Sequence, residues 1–170
     1  MSAGTGMGIN VALVSTDAQA PLGFIHTEPA SLNQGLLTQG EKTWIYVKAG
    51  AALAVGTVCV RAPGANNGNY GNTLVGADAT GVVVAAAGDA LGRIVGVAQH
   101  ALADGEFGFI QRSGIGNAID GGIVVDTGII PGAGAGDVIT VAAALPSFGV
   151  GLTVAVAPSL VGSCMFDCEG

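Results

Sequence analysis

The sequence predicts an all-β protein, a Gly/Ala-rich β-barrel or sandwich of short strands with an extended N-terminal arm. Three observations carry this reading. Glycine supplies 30 of the 170 residues, and glycine weakens helix and strand interiors while serving tight turns and close backbone approach. From Thr43 onward, β-branched runs recur roughly every eight to twelve residues with turn signals between them, the signature of a sandwich or barrel. Residues 1–40 differ from the rest, mixing Ser, Thr, Gln, Asn, Gly and Pro with isolated apolar residues. The chain therefore divides into an arm over 1–40 and a β-rich body over 41–170.

In order along the chain, a short strand is expected at Ile9–Val14, and Ser31-Leu32-Asn33-Gln34 has the form of a capping box, although Gly35 follows at once. The arm reads either as a segment that docks on something or as a partly ordered tail. In the body, strands are expected at Thr43–Lys48, Thr57–Arg61, Thr73–Gly76, Gly81–Ala85, Arg93–Ala98 and Phe107–Gln111. Others are expected at Gly122–Asp126, Asp137–Ala142, Leu152–Ala157 and Ser163–Phe166. Turn signals separate them: Pro63-Gly64, Asn66-Asn67-Gly68-Asn69, Asp104-Gly105, Pro131-Gly132 and Pro146-Ser147. A short helix over Asp89–Gln99 is the weaker alternative, because its valines and glycines oppose it. An internal echo links Val47–Val58 with Ile130–Val138: an apolar residue, a glycine turn, then Thr or Asp leading into a strand. It reads as one turn problem solved twice, in preference to a duplication.

Charge is the second constraint. Charged residues make up 10% of the chain, against about 25% in an ordinary soluble domain. Such a surface suits an assembly, since obligate interfaces resemble a domain core cut in half, and a homo-oligomer is expected. The net charge of −7, with Lys42, Lys48, Arg61, Arg93 and Arg112 scattered singly, opposes nucleic-acid binding. No basic region opens the sequence, so a signal peptide is not expected. The odd cysteine count, Cys59, Cys164 and Cys168, favours reduced thiols. Val138–Phe166 is uncharged and long enough to span a bilayer, but Pro146, Pro158, Gly149, Gly151 and Gly162 interrupt it and no Lys or Arg flanks it. It reads as buried strands, with no membrane partner.

The residues that carry chemistry are sparse. His26 and His100 have no motif neighbour that suggests a triad or metal pair. No G-x-S-x-G, phosphate loop or H-E-x-x-H occurs. Gly4-Thr5-Gly6-Met7-Gly8 and Gly132-Ala133-Gly134-Ala135-Gly136 imitate dinucleotide loops, but the first lacks a preceding strand and the second runs into a strand, leaving no helix N-terminus for a phosphate. Cys164 and Cys168 stand four apart, on one face of a strand, with no second ligand pair for zinc. Asp104, Glu106, Asp120, Asp126 and Asp137 lack the close spacing of a calcium loop. No catalytic, metal or cofactor-binding residue is therefore assigned, and no enzyme activity or cofactor is expected. The candidate interface residues are Phe24 and Ile25 in the arm, with Trp44 and Tyr46 on one strand face. For Trp44 a core position is the favoured alternative.

Gly92–Gln99, followed by Ala103-Asp104-Gly105-Glu106-Phe107-Gly108-Phe109-Ile110-Gln111 and Gly114, resembles a strand-and-turn pattern of tailed-bacteriophage head decoration (cement) proteins. Val47–Val60 is similar to the same proteins, so the resemblance covers residues 43–116. It implies a mostly β protein, often trimeric, made in the host cytoplasm and bound to the major capsid protein on the exterior of the virion, with an arm reaching neighbouring subunits. No functional residue transfers with it. Two other functions compete: a head-fibre or receptor-binding module, for which the Asn66–Tyr70 loop is the glycan candidate, and a small β-barrel ligand-binding domain.

Overall fold

The computed structural model describes residues 9–30, 40–61, 82–85, 91, 94–132, 136–140, 146–153 and 161–168. Among them there are strands and no α-helix. The strands are β1 (Ile25–Glu28), β2 (Lys42–Lys48), β3 (Val58–Arg61), β4 (Val82–Val84), β5 (Ile94–Val97), β6 (Phe107–Asp120), β7 (Gly128–Pro131), β8 (Asp137–Thr140), β9 (Gly149–Gly151) and β10 (Val161–Asp167).

Strand β6 organises the molecule. Its first half pairs with β2 and its second half with β10, both antiparallel, and the hand-over falls at Ser113, which faces Thr43 and Asp167. Gly114 follows with φ +95°, and a Cβ there would strike the Glu41 carbonyl. The backbone bends at this glycine and carries on as strand.

Each half of β6 belongs to a closed ring of five strands. In the second ring the pairing runs β6, β10, β9, β7, β8 and back to β6 through a parallel contact. In the first it runs β2, β6, β5, β3, β4, and the parallel bridge Ala49↔Val82 returns β4 to the end of β2. The two rings have the same strand order, the same directions and the same register. Cys59 faces Gly96 and Val84, as Ile129 faces Gly149 and Thr140. Gln111 faces Trp44 and Val97, as Met165 faces Ile115 and Val150. Closure by Ala49↔Val82 is matched by Asp120↔Val138.

The connections repeat as well. Leu53-Ala54-Val55-Gly56-Thr57 and Ile123-Val124-Val125-Asp126-Thr127 each turn into a strand through a left-handed residue, Gly56 (φ +83°) and Asp126 (φ +61°); Asp is one of the few side chains that tolerates this conformation. Gly56 N–H donates to the Ala98 carbonyl (2.7 Å) and Ala98 N–H to that of Thr57 (2.9 Å). Asp126 donates to Gly151 (2.9 Å) and Gly151 to Thr127 (3.0 Å) in the same pattern. The fold is two tandem barrels, a duplication in structure. The echo read from sequence placed Val47–Val58 against Ile130–Val138; the structural register instead sets Leu53–Arg61 against Ile123–Pro131.

The cores follow the repeat. Ile45, Val47, Cys59, Val82, Val95 and Ile110 fill the first barrel; Ala118, Ile129, Val138, Phe148 and Cys164 take equivalent places in the second. The second cluster extends to Val58, Val60, Ile94 and Val97 on the outside of the first barrel, which joins the barrels through one apolar contact.

Several sequence expectations need correction. Ile9–Val14 forms no strand, although Ser15 makes a bridge to Phe107. Gly122–Asp126 is a connection rather than a strand, because Asp126 turns the chain. Residues 149–151, rather than Leu152 onward, form the strand there; 154–157 lie outside the described residues. The expected β strand at Phe107–Gln111 continues to Asp120, and β1 and β7 were not anticipated. Ile94–Val97 is strand, which removes the helical alternative. The Ser31–Gln34 capping box, the Thr73–Gly76 strand, the Asn66–Tyr70 loop and the Gly4–Gly8 loop lie outside the described residues.

Candidate docking surface

Strand β2 reads Thr-Trp-Ile-Tyr-Val and is buried on both faces. Ile45 and Val47 point into the first barrel, while Trp44 and Tyr46 lie on the other side with Phe109. Ile9, Val11, Ala20 and Leu22 cover that side. The N-terminal segment thus packs on the chain's own body and buries Trp44, Tyr46 and Phe109, for each of which full burial stabilises by roughly 1.5–3 kcal/mol.

Directional contacts fix it. Tyr46 is enclosed by backbone: its N–H donates to the Phe24 carbonyl (2.9 Å), its carbonyl accepts from Gly23 N–H (2.8 Å), and its hydroxyl accepts from Gln19 N–H (2.9 Å). Tyr46 meets Phe109 edge-to-face at 5.0 Å, and Phe24 meets Phe109 at 6.3 Å. Strand β1 adds an antiparallel edge with His26 opposite Trp44. Trp44 Nε1 donates to Glu28 Oε2 (2.8 Å), and burial pulls the nearby Lys42 ammonium below its ordinary value, opposed by Glu28.

The four interface candidates therefore divide. Phe24 and Ile25 are 38% and 46% exposed, whereas Trp44 and Tyr46 are 5% and 2% exposed beneath the segment that carries them. Leu13, 49% exposed, joins Phe24 at the rim of a cleft of about 410 Å³ between the segment and Phe109. Exposed valines recur in the equivalent connections, Val55 in one barrel and Val124 and Val125 in the other. Sequence reading missed this pairing. The one available signal was the shared Val-x-Thr after an apolar pair, too short to set a register.

The polar residues serve local structure. Asp120 Oδ1 accepts from Gly122 and Ile123 N–H (2.8 and 2.7 Å), and Glu106 Oε2 accepts from Ala103 N–H (2.7 Å). The Asp137 carboxylate lies beside Gly121 and Gly132, and its Oδ1 is buried with no hydrogen-bond partner among the described residues. His100 stacks on Trp44 at 6.2 Å, and burial holds its pKa below the usual value. Cys59, Cys164 and Cys168 are free and buried, and burial pushes each thiol up to about 12. Among the described residues no three His, Cys, Asp or Glu side chains are grouped to hold a metal. No helix among them is long and apolar enough to cross a membrane.

No family model and no curated protein matches the chain. Among solved structures, the N base of head fibre gp8.5 in bacteriophage phi29 is similar at 12% identity and a TM-score of 0.48, over 75% of this chain and 95% of that one. A likeness at this level transfers neither residue nor role.

Proposed function

We propose that this chain is a structural, non-enzymatic decoration protein, which binds the outside of a viral head and stabilises it by bridging capsid subunits. The observation that carries the reading is the surface. Only 10% of the residues are charged, while Leu13, Phe24 and Ile25 on the N-terminal segment and Val124, Val125 and Met165 on the second barrel are exposed; a charge-poor surface of this kind suits an assembly, since obligate interfaces resemble a domain core cut in half. The resemblance of residues 43–116 to head decoration proteins supplies the viral setting. The proposed partner is the major capsid protein and the favoured state a homotrimer; of the interface candidates, Phe24 and Ile25 are the two left exposed.

The test is addition of the purified chain to assembled heads that lack it. Saturable co-sedimentation, with heads more resistant to heat or low salt, is the expected result. Absence of binding to intact shells would remove the decoration role. Binding to a surface glycan instead would move the function to a head-fibre or receptor-binding module.

A further inference from the structure

The repeat exposes one asymmetry between the barrels. On the first barrel the outer face of β5 and β6 is closed: Ile94, Val97 and Gln111 are 6%, 0% and 0% exposed. The second barrel covers it. Gly116 lies against the Gln111 side chain, Gln99 holds the Asn117 backbone through both amide atoms (3.0 Å each), and Val97 shares an apolar cluster with Ala118 and Phe148. On the second barrel the equivalent residues are Ser147, Val150 and Met165. Ser147 is exposed, Val150 half-buried and Met165 47% exposed. A groove of about 590 Å³ runs over them, bounded by Phe148, Asp167 and Thr43.

The opposite surface is equally informative. Asn117 and Tyr46 hold the same position in the two rings. The first barrel ties off the Asn117 backbone through Gln99, and the N-terminal segment ties off the Tyr46 backbone through Gly23 and Phe24. The N-terminal segment thus stands on the first barrel where the first barrel stands on the second. Its outer surface carries Leu13, Phe24 and Ile25.

We infer that the β9–β10 face of the second barrel is a docking surface for a second copy of this chain, which presents its N-terminal segment and β1. The contact between copies continues the barrel-to-barrel contact within one copy. It joins different surfaces and is therefore heterologous, closing into a ring or extending as a filament according to its rotation. The inference rests on the reading of the chain as an assembly protein, but the two fail separately. A monomer that binds heads overturns the docking surface alone; an oligomer that ignores heads overturns the decoration role alone.

Sedimentation velocity of the full chain tests it, with Met165→Glu, Ile25→Glu and an equal mixture of the two. The intact chain sediments as an oligomer, and each variant associates at least ten-fold more weakly. The mixture regains a two-chain species, because Ile25→Glu keeps the β9–β10 face and Met165→Glu keeps the N-terminal surface. An intact chain that stays monomeric, variants that associate as strongly as it does, or a mixture that stays monomeric would each overturn the inference. Both positions are exposed, and Val150→Lys with Phe24→Lys repeats the test should either substitution unfold the chain.

Discussion

Gly96 and Gly149 occupy one position in two barrels, and each lies against a carbonyl oxygen of the facing strand, that of Gln111 for Gly96 and that of Met165 for Gly149. Neither has room for a Cβ. Overpacking a closed site costs about 1–3 kcal/mol, so Gly96→Ala and Gly149→Ala are each expected to destabilise by that amount in urea denaturation. Gly105 has open space around it despite a φ of +85°. Gly105→Ala therefore pays only the left-handed strain, about 1–2 kcal/mol. A Gly149→Ala variant as stable as the parent would show that the two sites are not equivalent.

His100 and Trp44 give a spectroscopic prediction, since Trp44 is the single tryptophan. Their rings stack with an interplanar angle of 16°, and the His100 Nε2 is buried with no hydrogen-bond partner among the described residues. Burial lowers its pKa from 6.5, so the unfolded chain takes up a proton at a higher pH than the folded one. The resulting stability is complete above pH 6.5 and is lost as pH falls through the depressed folded value. Denaturation followed by Trp44 fluorescence should show this acid limb, and His100→Phe, which keeps an aromatic ring in place, should flatten it. An unchanged limb in that variant would assign the titration elsewhere.

How far the fold could be read from sequence depended on whether burial was one-sided. Val58–Arg61 and Ile94–Val97 were readable as strands because each is a short, largely β-branched run buried on both faces. Strand β1, Ile-His-Thr-Glu, was not: it is an edge with alternating exposed positions, and its stability comes from β2 rather than from its own pattern. The end of β6 was misplaced because Ser113-Gly114-Ile115-Gly116-Asn117 has turn composition, yet the glycines serve a bend and close packing inside a continuous strand. Ile123-Val124-Val125 has strand composition, but two of its three side chains face solvent in a connection. The duplication was hidden for a related reason. The glycine turns coincide in a different register, while the structural one rests on buried Leu53 and Ile123, different residues in the same place. Phe24 and Ile25 were recognisable as isolated apolar residues in a polar segment. That Trp44 and Tyr46 lie beneath that segment was not, since no local pattern says what an arm covers.

The three cysteines make stability fall on the alkaline side. Each thiol, ordinarily near 9.0, is raised to about 12 by burial, so the folded chain keeps protons that the unfolded chain releases. The contribution is complete below pH 9 and is lost as pH rises toward 12. Cys59 is fully buried, and Cys59→Ala is expected to reduce the alkaline slope while lowering stability at neutral pH through the cavity left behind. Alkylation at pH 8 provides the second check. The thiols should react far more slowly than an exposed cysteine, through transient opening of the fold, and rapid labelling of native protein would contradict their burial.

The N-terminal segment gives the last prediction, because among the described residues its main hold on the body is one strand face and a few backbone contacts. Leu22 packs beside Tyr46 and Phe109, while Ser15 exchanges two hydrogen bonds with Phe107 at 3.0 and 2.8 Å. Among the described residues of this segment, Val14 is the one that packs against the first barrel core. Leu22→Asp should therefore release residues 9–24 and leave both barrels folded, with up to about 2 kcal/mol lost from the half-buried Leu22 side chain alone. Trp44 emission should shift to the red, and limited proteolysis should cut within the segment before it cuts the body. Tyr46→Phe removes only the hydroxyl that accepts from Gln19, about 1 kcal/mol, and should leave the emission unchanged. Cooperative loss of the whole fold in Leu22→Asp would instead make the segment an integral part of the first barrel, since Trp44 and Tyr46 could not then remain ordered without their cover.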